Sequence, residues 1–370
     1  MSDLRTAVRA LRKTPGFTAV AILTIAIGIA ANTALFTVFD RLILNPVSLP
    51  NPSSLVALWS NNAAVNFVAP AVSWPRYQHI GREVKSFSSL ALSAFDNFTL
   101  TGNGDPQQLQ GLRVSPAFFT TLGVPPAKGR GFTADEDRPN GPTVVVLSHE
   151  LWQTQFGGRP TIVGESIMLN GLSWQVVGIM PPRLSNPFSG TQVFAPRVFE
   201  VNGLTPQQIQ NGASYTQPIA RLKPDVSLEQ AQAELAAISK SYAQQFGAHL
   251  DAGAISEARS FVGTLTGNLR PTFYTLIGAV VFVLFIACAN VASLFLSRLT
   301  ARHKEIAVRQ SLGATRGAVI RQFLTESLLF SAIAGVLGLG LAYGALQATQ
   351  AAFAPQLPPN TALSLDWRAL

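Results

Sequence analysis

Residues 298–326 read RLTARHKEIAVRQSLGATRGAVIRQFLTE, a short basic segment held between two long apolar runs. Upstream, residues 271–297 contain no Asp, Glu, Lys or Arg. Downstream, residues 327–365 contain none either, and their apolar part reaches residue 353. A membrane-spanning helix needs about 20 apolar residues, and each run is long enough. Between them Arg298, Arg302, Lys304, Arg309, Arg316 and Arg321 stand against only Glu305 and Glu326. Short loops this rich in Lys and Arg stay in the cytoplasm, so the segment reads as an inward-facing element between two membrane helices.

Inside that segment the pattern is helix, break, helix. Glu305 precedes Arg309 by four residues, the favourable order for an ion pair on one helical face, and Ile306, Val308 and Leu312 supply apolar contact positions. Gly313 follows where a helix C-terminus wants positive φ, and Thr315 can cap the next helix. Charge alone is also satisfied by a segment that sets topology and touches lipid phosphates.

The chain has 370 residues, 48% of them hydrophobic and only 12% charged, too apolar for an ordinary soluble protein and too long for one domain. Its net charge of +8 raises the question of nucleic acid, which the location of the charge answers. Residues 1–13 and 298–326 hold ten of the 27 basic residues and three of the 19 acidic ones, leaving 17 against 16 elsewhere. That is topology charge, and no basic face for nucleic acid is indicated. The single cysteine, Cys288, lies in an apolar run, so no intrachain disulfide can form. His79, His149, His249 and His303 are scattered, and no metal site is expected.

Residues 4–13 place Leu4, Val8 and Leu11 on one helical face and Arg5, Arg9, Arg12 and Lys13 on the other, which suits a helix at the cytoplasmic interface (residues 1–13). Thr14 and Pro15 then open the first membrane helix, residues 14–40, too long for the apolar core of a signal peptide. From 46 to 270 no membrane-length run occurs, and turn residues recur at short intervals, as in a folded extracytoplasmic domain. Asn170-Gly171 between residues 165–169 and 172–179 is a strong hairpin signal. Residues 143–147 read as a buried strand followed by a helix that Gly157 ends, and Ser115-Pro116 as the start of a helix closed by Gly123. Ser227 and Gln230 form a capping box before Ala231, Leu235, Ile238, Tyr242 and Phe246, an amphipathic helix expected to end at Gly247.

The stretch IACANVASLFLSRLTARHKEIAVRQSLGATRGAVIRQFLTESLL resembles the signature of the MacB/FtsX-type permeases of ABC transporters, and SPAFFTTLGVPPAKGRGF, VVVLSHELWQTQFG and IMLNGLSWQVVGIMP resemble the extracytoplasmic core domain of the same permeases. The resemblance covers nearly the whole chain. It implies a membrane α-helical protein with three spans (14–40, 271–297 and 327–353) and an α+β extracytoplasmic domain, residues 46–270, inserted between the first two. That domain would have one lobe from 50–112 with 213–268 and an insertion lobe from 113–212, and residues 354–370 would form an outer tail. Residues 298–326 become the coupling segment, with Arg302, Glu305, Ile306, Arg309 and Gly313 docking on a separate ATP-binding subunit. The implied setting is the inner (cytoplasmic) membrane with the N-terminus inside. The implied partners are an ABC ATPase subunit, membrane lipid, a second copy or paired permease, and a periplasmic adaptor. A rival reading, drawn from relatives that control cell-wall hydrolases, is a membrane-anchored regulator of an envelope enzyme without transport. The family pattern also carries a fourth span after a segment like residues 365–368, so the chain is expected to be truncated before that span.

No phosphate loop of the form G-x-x-x-x-G-K-[S/T] occurs in these residues, so no cofactor is expected on this chain and ATP is assigned to the partner. The acidic run Asp135, Glu136 and Asp137 has the composition to bind a cation, but a solvated loop is the expected reading. The consecutive Ser148, His149 and Glu150 cannot converge as a hydrolytic triad. Among residues in the apolar runs, Asn290, Asn32, Thr24, Thr33 and Ser293 are expected to bond between helices, and Gly340 with Gly344 to allow close helix packing.

Overall fold

The computed structural model describes residues 15–39, 49–102, 105–182, 187–188, 190–267, 270–301 and 316–353. They form two compact units, one built on Pro46–Gly267 and one on the helices that precede and follow it in sequence. The first element among the described residues is α1 (Pro15–Phe39), whose first residue is the proline that a helix's first turn accommodates.

The inserted unit then runs β1 (Leu55–Asn62), β2 (Phe67–Ala69), β3 (Val72–Ser73), α2 (Trp74–Glu83), β4 (Phe87–Thr101), β5 (Gln107–Val114), α3 (Phe118–Leu122), β6 (Lys128–Gly129), β7 (Val144–Leu147), α4 (His149–Phe156), β8 (Ser166–Leu169), β9 (Leu172–Ile179), β10 (Val193–Ala195), α5 (Pro206–Gln210), β11 (Ser214–Leu222), α6 (Leu228–Gln245), β12 (Ile255–Ser260) and α7 (Phe261–Thr266). Its strands pair in the order β12-β1-β11-β4-β5-β10-β7-β9-β6. Strand β8 pairs with both β9 and β4, so β4, β5, β10, β7, β9 and β8 close into a ring, a small mixed barrel. The long β4 serves both parts. Its first half pairs with β11 over Phe87–Ser93, and its second half with β5 and β8. The ring thus takes β4 and β5 from ahead of residue 115 as well as β7 to β10 from beyond it.

The hairpin turn closes that ring. Asn170 at φ 52 and Gly171 at φ 76 give the left-handed pair that a tight turn with the right twist requires. The Asn170 Oδ1 accepts the Thr99 N–H at 2.7 Å, and the Asn170 N–H donates to the Thr99 carbonyl at 2.9 Å, sewing the β8–β9 hairpin onto β4.

Three clusters make up most of the core. Phe98, Leu109, Val145, Leu147, Ile167, Trp174 and Val176 fill the barrel, and α4 plugs it with Leu151, Trp152 and Phe156. The open part of the sheet is covered on both faces, which is why β1 begins with the unbroken apolar run LVAL. Val56 and Leu58 meet Ile80 of α2 and Ala231, Leu235 and Ile238 of α6; Leu55 and Ala57 meet Phe118, Phe119 and Leu122 of α3 and Phe261 of α7. Each fully buried side chain of this size contributes about 1.5–3 kcal/mol. Both halves of the Ser227–Gln230 capping box are present, and α6 stops at Gln245 with Phe246 as its C-cap, one residue before the expected glycine. Helix α6 also guards the outer edge of β12. Ser239 Oγ accepts the Ser256 N–H at 2.9 Å and Gln232 Nε2 donates to the Ala258 carbonyl at 3.0 Å, so the edge does not offer those groups to another strand.

The helical unit resumes with α8 (Arg270–Ala301) and α9 (Arg316–Phe353). Ala21 of α1 and Phe330 of α9 are fully buried in a small cluster with Ile22 and Leu329. Elsewhere the helices turn apolar side chains outward, including Leu23 and Ile27 of α1, Phe282 and Phe285 of α8, and Leu328 and Val336 of α9. Such surfaces suit lipid rather than water. Among the described residues one stretch, Leu328–Ala348, is long and apolar enough to cross a membrane, while Thr18–Ala34 and Tyr274–Ile286 are shorter apolar stretches. Two polar side chains expected to bond between helices bond within their own. Thr24 Oγ1 donates to the Val20 carbonyl at 2.8 Å and Asn32 Nδ2 to the Gly28 carbonyl at 3.0 Å, because a carbonyl one turn back is always within reach.

Candidate functional site

Arg302, Glu305, Ile306, Arg309 and Gly313 lie outside the described residues, between the end of α8 and the start of α9. Asn290 falls within α8, and Gly340 and Gly344 within α9. Among the described residues, a Cβ added at Gly340 or Gly344 would meet nothing within 4 Å. The close approach falls at Gly338, where a Cβ would come to 2.9 Å from the Ala26 carbonyl oxygen and from the Ile29 side chain of α1.

The inserted domain holds its first and last described segments close together. The inbound segment, residues 49–54, brings Leu49 into the core beside α3 and ends in a single 3-10 turn, Pro52–Ser54. Arg221 of β11 pairs in register with Leu55, the first residue of β1, and spreads its guanidinium across this segment. Nη1 donates to the Asn51 carbonyl at 3.1 Å and to Ser54 Oγ at 2.7 Å, and Nη2 to the Pro50 carbonyl at 3.1 Å. The same group donates from Nε and Nη2 to the Thr121 carbonyl at 3.1 and 2.9 Å, at the C-terminal end of α3 where helical carbonyls lack partners. The outbound side is α7. Ser260 caps it by accepting the Gly263 N–H, Phe261 enters the same core as Leu49, and Trp59 Nε1 donates to Thr264 Oγ1 at 3.3 Å. Helix α7 also packs on the Pro52–Ser54 turn, so both connections meet at one end of the sheet. Nothing in the sequence around Arg221 marks it, since a strand arginine with a distant acceptor set carries no local motif.

Two buried charge networks were likewise unforeseen. Arg76, 1% exposed, donates from Nε to Asp251 Oδ2 at 3.0 Å and from Nη1 to the Ala254 carbonyl at 2.8 Å, and it lies over the Tyr242 ring at 4.2 Å. Asp251 also accepts from Ser73 Oγ at 2.6 Å and from the Tyr242 hydroxyl at 3.1 Å. In the second network Arg113 Nε donates to Asp96 Oδ2 at 2.7 Å, and Asn202 Nδ2 to Asp96 Oδ1 at 2.6 Å.

The acidic run is not the solvated loop expected of it. Glu136 receives a two-pronged contact from Arg130 at 2.9 and 2.6 Å, and Asp137 accepts the Arg197 N–H at 2.6 Å, so two of the three carboxylates are spent inside the protein. Burial pushes the Asp137 carboxyl up to about 6, with Glu200 adding to the rise and Arg197 opposing it. Ser148 serves as the N-cap of α4, accepting the Leu151 N–H at 3.1 Å, and the His149 ring packs edge-on against Trp152. Open grooves among the described residues include one of about 440 Å³ beside Tyr77, Arg82 and Phe87 and one of about 390 Å³ beside Phe95, Asn97 and Asn202. Neither brings together an acid, a base and a nucleophile among the described residues.

An α+β domain inserted in sequence between long apolar helices defines the class, a membrane-type protein carrying a folded inserted domain. Residues 18–238 match the MacB-like periplasmic core domain and residues 277–367 the FtsX-like permease C-terminal domain. The first match covers more than half of the chain, and the protein belongs to the MacB/FtsX-type permease family. It is 26% identical over 356 residues to the macrolide export ATP-binding/permease protein MacB of Azoarcus sp. (strain BH72), covering 93% of this chain and 52% of that protein. It is 25% identical over 218 residues to the uncharacterized ABC transporter permease YknZ of Bacillus subtilis (strain 168), covering 58% of this chain and 52% of that one. The crystal structure of the periplasmic region of MacB from Actinobacillus actinomycetemcomitans aligns with a TM-score of 0.44 at 12% identity, over 59% of this chain and 94% of that one. The chain spans between a third and about half the length of the first curated relatives it matches.

Proposed function

We propose that this chain is the permease subunit of an ABC transporter, passing motion driven by a separate ATPase subunit to the inserted domain for export or envelope work. The observation that carries the proposal is the order of parts. A MacB-like core domain sits in sequence between one long apolar helix and two more, and the last two belong to the FtsX-like match. In this proposal α1, α8 and α9 all cross the inner membrane, the N-terminus is cytoplasmic and the inserted domain is periplasmic. Their outward apolar side chains support it. Arg302, Glu305, Ile306, Arg309 and Gly313 then form the contact with the ATPase, supported by their place in the basic connection between α8 and α9. ATP binding falls to the partner, since no phosphate loop of the Walker type occurs in these 370 residues. A second permease copy, lipid and a periplasmic adaptor complete the assembly.

Affinity purification from native membranes tests the proposal. An ATP-binding-cassette subunit is expected to copurify, and Glu305→Lys or Ile306→Asp is expected to lose it together with the ATP turnover it brings. Copurification and turnover unchanged in both variants would refute the assigned contact. Recovery of an envelope hydrolase without any cargo-dependent turnover would favour a regulator instead.

A further inference from the structure

We propose that Arg221 is the clasp that makes the inbound connection of the inserted domain move as one body with α3 and the sheet. It is a positioning residue for the transmission described above, and the inference rests on the permease proposal. Among the described residues, Arg221 is the one side chain whose hydrogen bonds tie residues 50–54 to the rest of the domain; the other bonds of that segment are local, such as Ser54 N–H to the Asn51 carbonyl. Its planar fork suits the task, because five donors in fixed directions can hold two chain segments at once. One side of the fork takes Pro50, Asn51 and Ser54, and the other takes Thr121 at the end of α3. Gly123, just past α3, also lies against Pro50, where an added Cβ would come to 3.2 Å from its ring.

The consequence is mechanical. A displacement arriving along the chain at Leu49 cannot peel away residues 50–54 alone, because the fork hands it to α3 and to β11. Strand β11 pairs with β1 on one side and with β4 on the other, and β4 runs on into the barrel. The outbound helix α7 rests on the same Pro52–Ser54 turn and on the same core as α3, so a displacement arriving from α8 reaches the same point. Without the fork, slack in residues 50–54 would absorb motion before it reached the sheet.

Hydrogen exchange on the full-length chain, purified with its copurifying ATPase, tests this. Arg221→Ala is expected to raise exchange across residues 49–55 by about tenfold while β7 and β9 stay protected. It is expected to keep the ATPase bound and to reduce the ATP-dependent change in exchange across β4 and β11 to less than half of the unmodified protein's. Arg221→Lys, whose single ammonium cannot span both segments, is expected to give the same uncoupling with a smaller rise in exchange, and it carries the test if the alanine variant does not fold. An ATP response in β4 and β11 that is unchanged in either variant would overturn the clasp. An unmodified complex with no ATP response at all would overturn the permease proposal, and the transmitting role with it.

Discussion

Asp137 shows how a single carboxylate reports its surroundings. It is held by the Arg197 N–H, faces Arg197 and Glu200, and lies close enough to Tyr77 of α2 to push that phenol further up after burial has raised it. With its carboxyl raised from 3.8 to about 6, the folded state binds the proton more tightly than the unfolded chain does. Its ionisation therefore costs nothing below pH 3.8, costs progressively more up to pH 6 and costs its full amount above that. Asp137→Asn keeps an oxygen for the Arg197 N–H and removes the charge. It is expected to stabilise the domain above pH 6 by on the order of 1–2 kcal/mol, after allowing for solvent screening, with no gain below pH 4. Thermal unfolding followed by tryptophan fluorescence at pH 4 and 7.5 measures this, and an equal effect at both values would refute it. Asp251 matters as the partner of a buried charge. Asp251→Ala leaves the Arg76 guanidinium, 1% exposed, without its carboxylate and is expected to cost about 3–5 kcal/mol, read as a lower denaturant midpoint. A loss under about 1 kcal/mol would mean that the carbonyls around Arg76 suffice.

At the scale of elements, the close approach of α9 to α1 falls at Gly338 and not at the pair at G-x-x-x-G spacing. Gly338→Val would drive a branched side chain into the Ala26 carbonyl and Ile29, forcing α9 away from α1, and is expected to cost about 1–3 kcal/mol. Gly340→Val and Gly344→Val meet open space within one chain and are expected to leave its unfolding in detergent unchanged. If Gly340→Val proved as damaging as Gly338→Val, a neighbour outside the described residues would be packing there. Spacing reveals that small residues recur, but which one faces the partner helix depends on the rotation of α9, and that is set by contacts such as Ala21 with Phe330. Local signals fared better. The Asn170-Gly171 hairpin, the Ser227 capping box and the buried face of Ala231, Leu235, Ile238 and Tyr242 were all legible, because turn chemistry and helical period are written in adjacent residues. The box at Thr205 and Gln208 has the same form and was overlooked; the helix it opens, Pro206–Gln210, is too short to show a period. Ring closure by β8 on β4 and the Arg221 clasp use bonds between residues 71 and 171 positions apart, where no local pattern reaches.

For the whole molecule the decisive question is which side of the membrane each part occupies. Basic residues flank the first apolar helix on its N-terminal side and fill the connection between α8 and α9, while the inserted domain between them is nearly neutral. Lys and Arg in short loops near helix ends are retained on the cytoplasmic side, so both basic segments are expected inside and the domain outside. The test needs a cysteine-free background, which Cys288→Ala provides, and a reporter that does not disturb the fold. Asn170 is unsuitable because its amide and backbone close the barrel onto Thr99. Val65, 69% exposed at the tip of the β1–β2 hairpin, carries no such duty. A membrane-impermeant thiol reagent applied to cells with a permeable outer membrane is expected to label Val65→Cys at once. Thr315→Cys is expected to be labelled only after the inner membrane is opened. Labelling of Thr315→Cys from outside, with Val65→Cys protected until lysis, would invert the topology, put the basic connection out of reach of a cytoplasmic ATPase and remove the physical basis of the permease proposal.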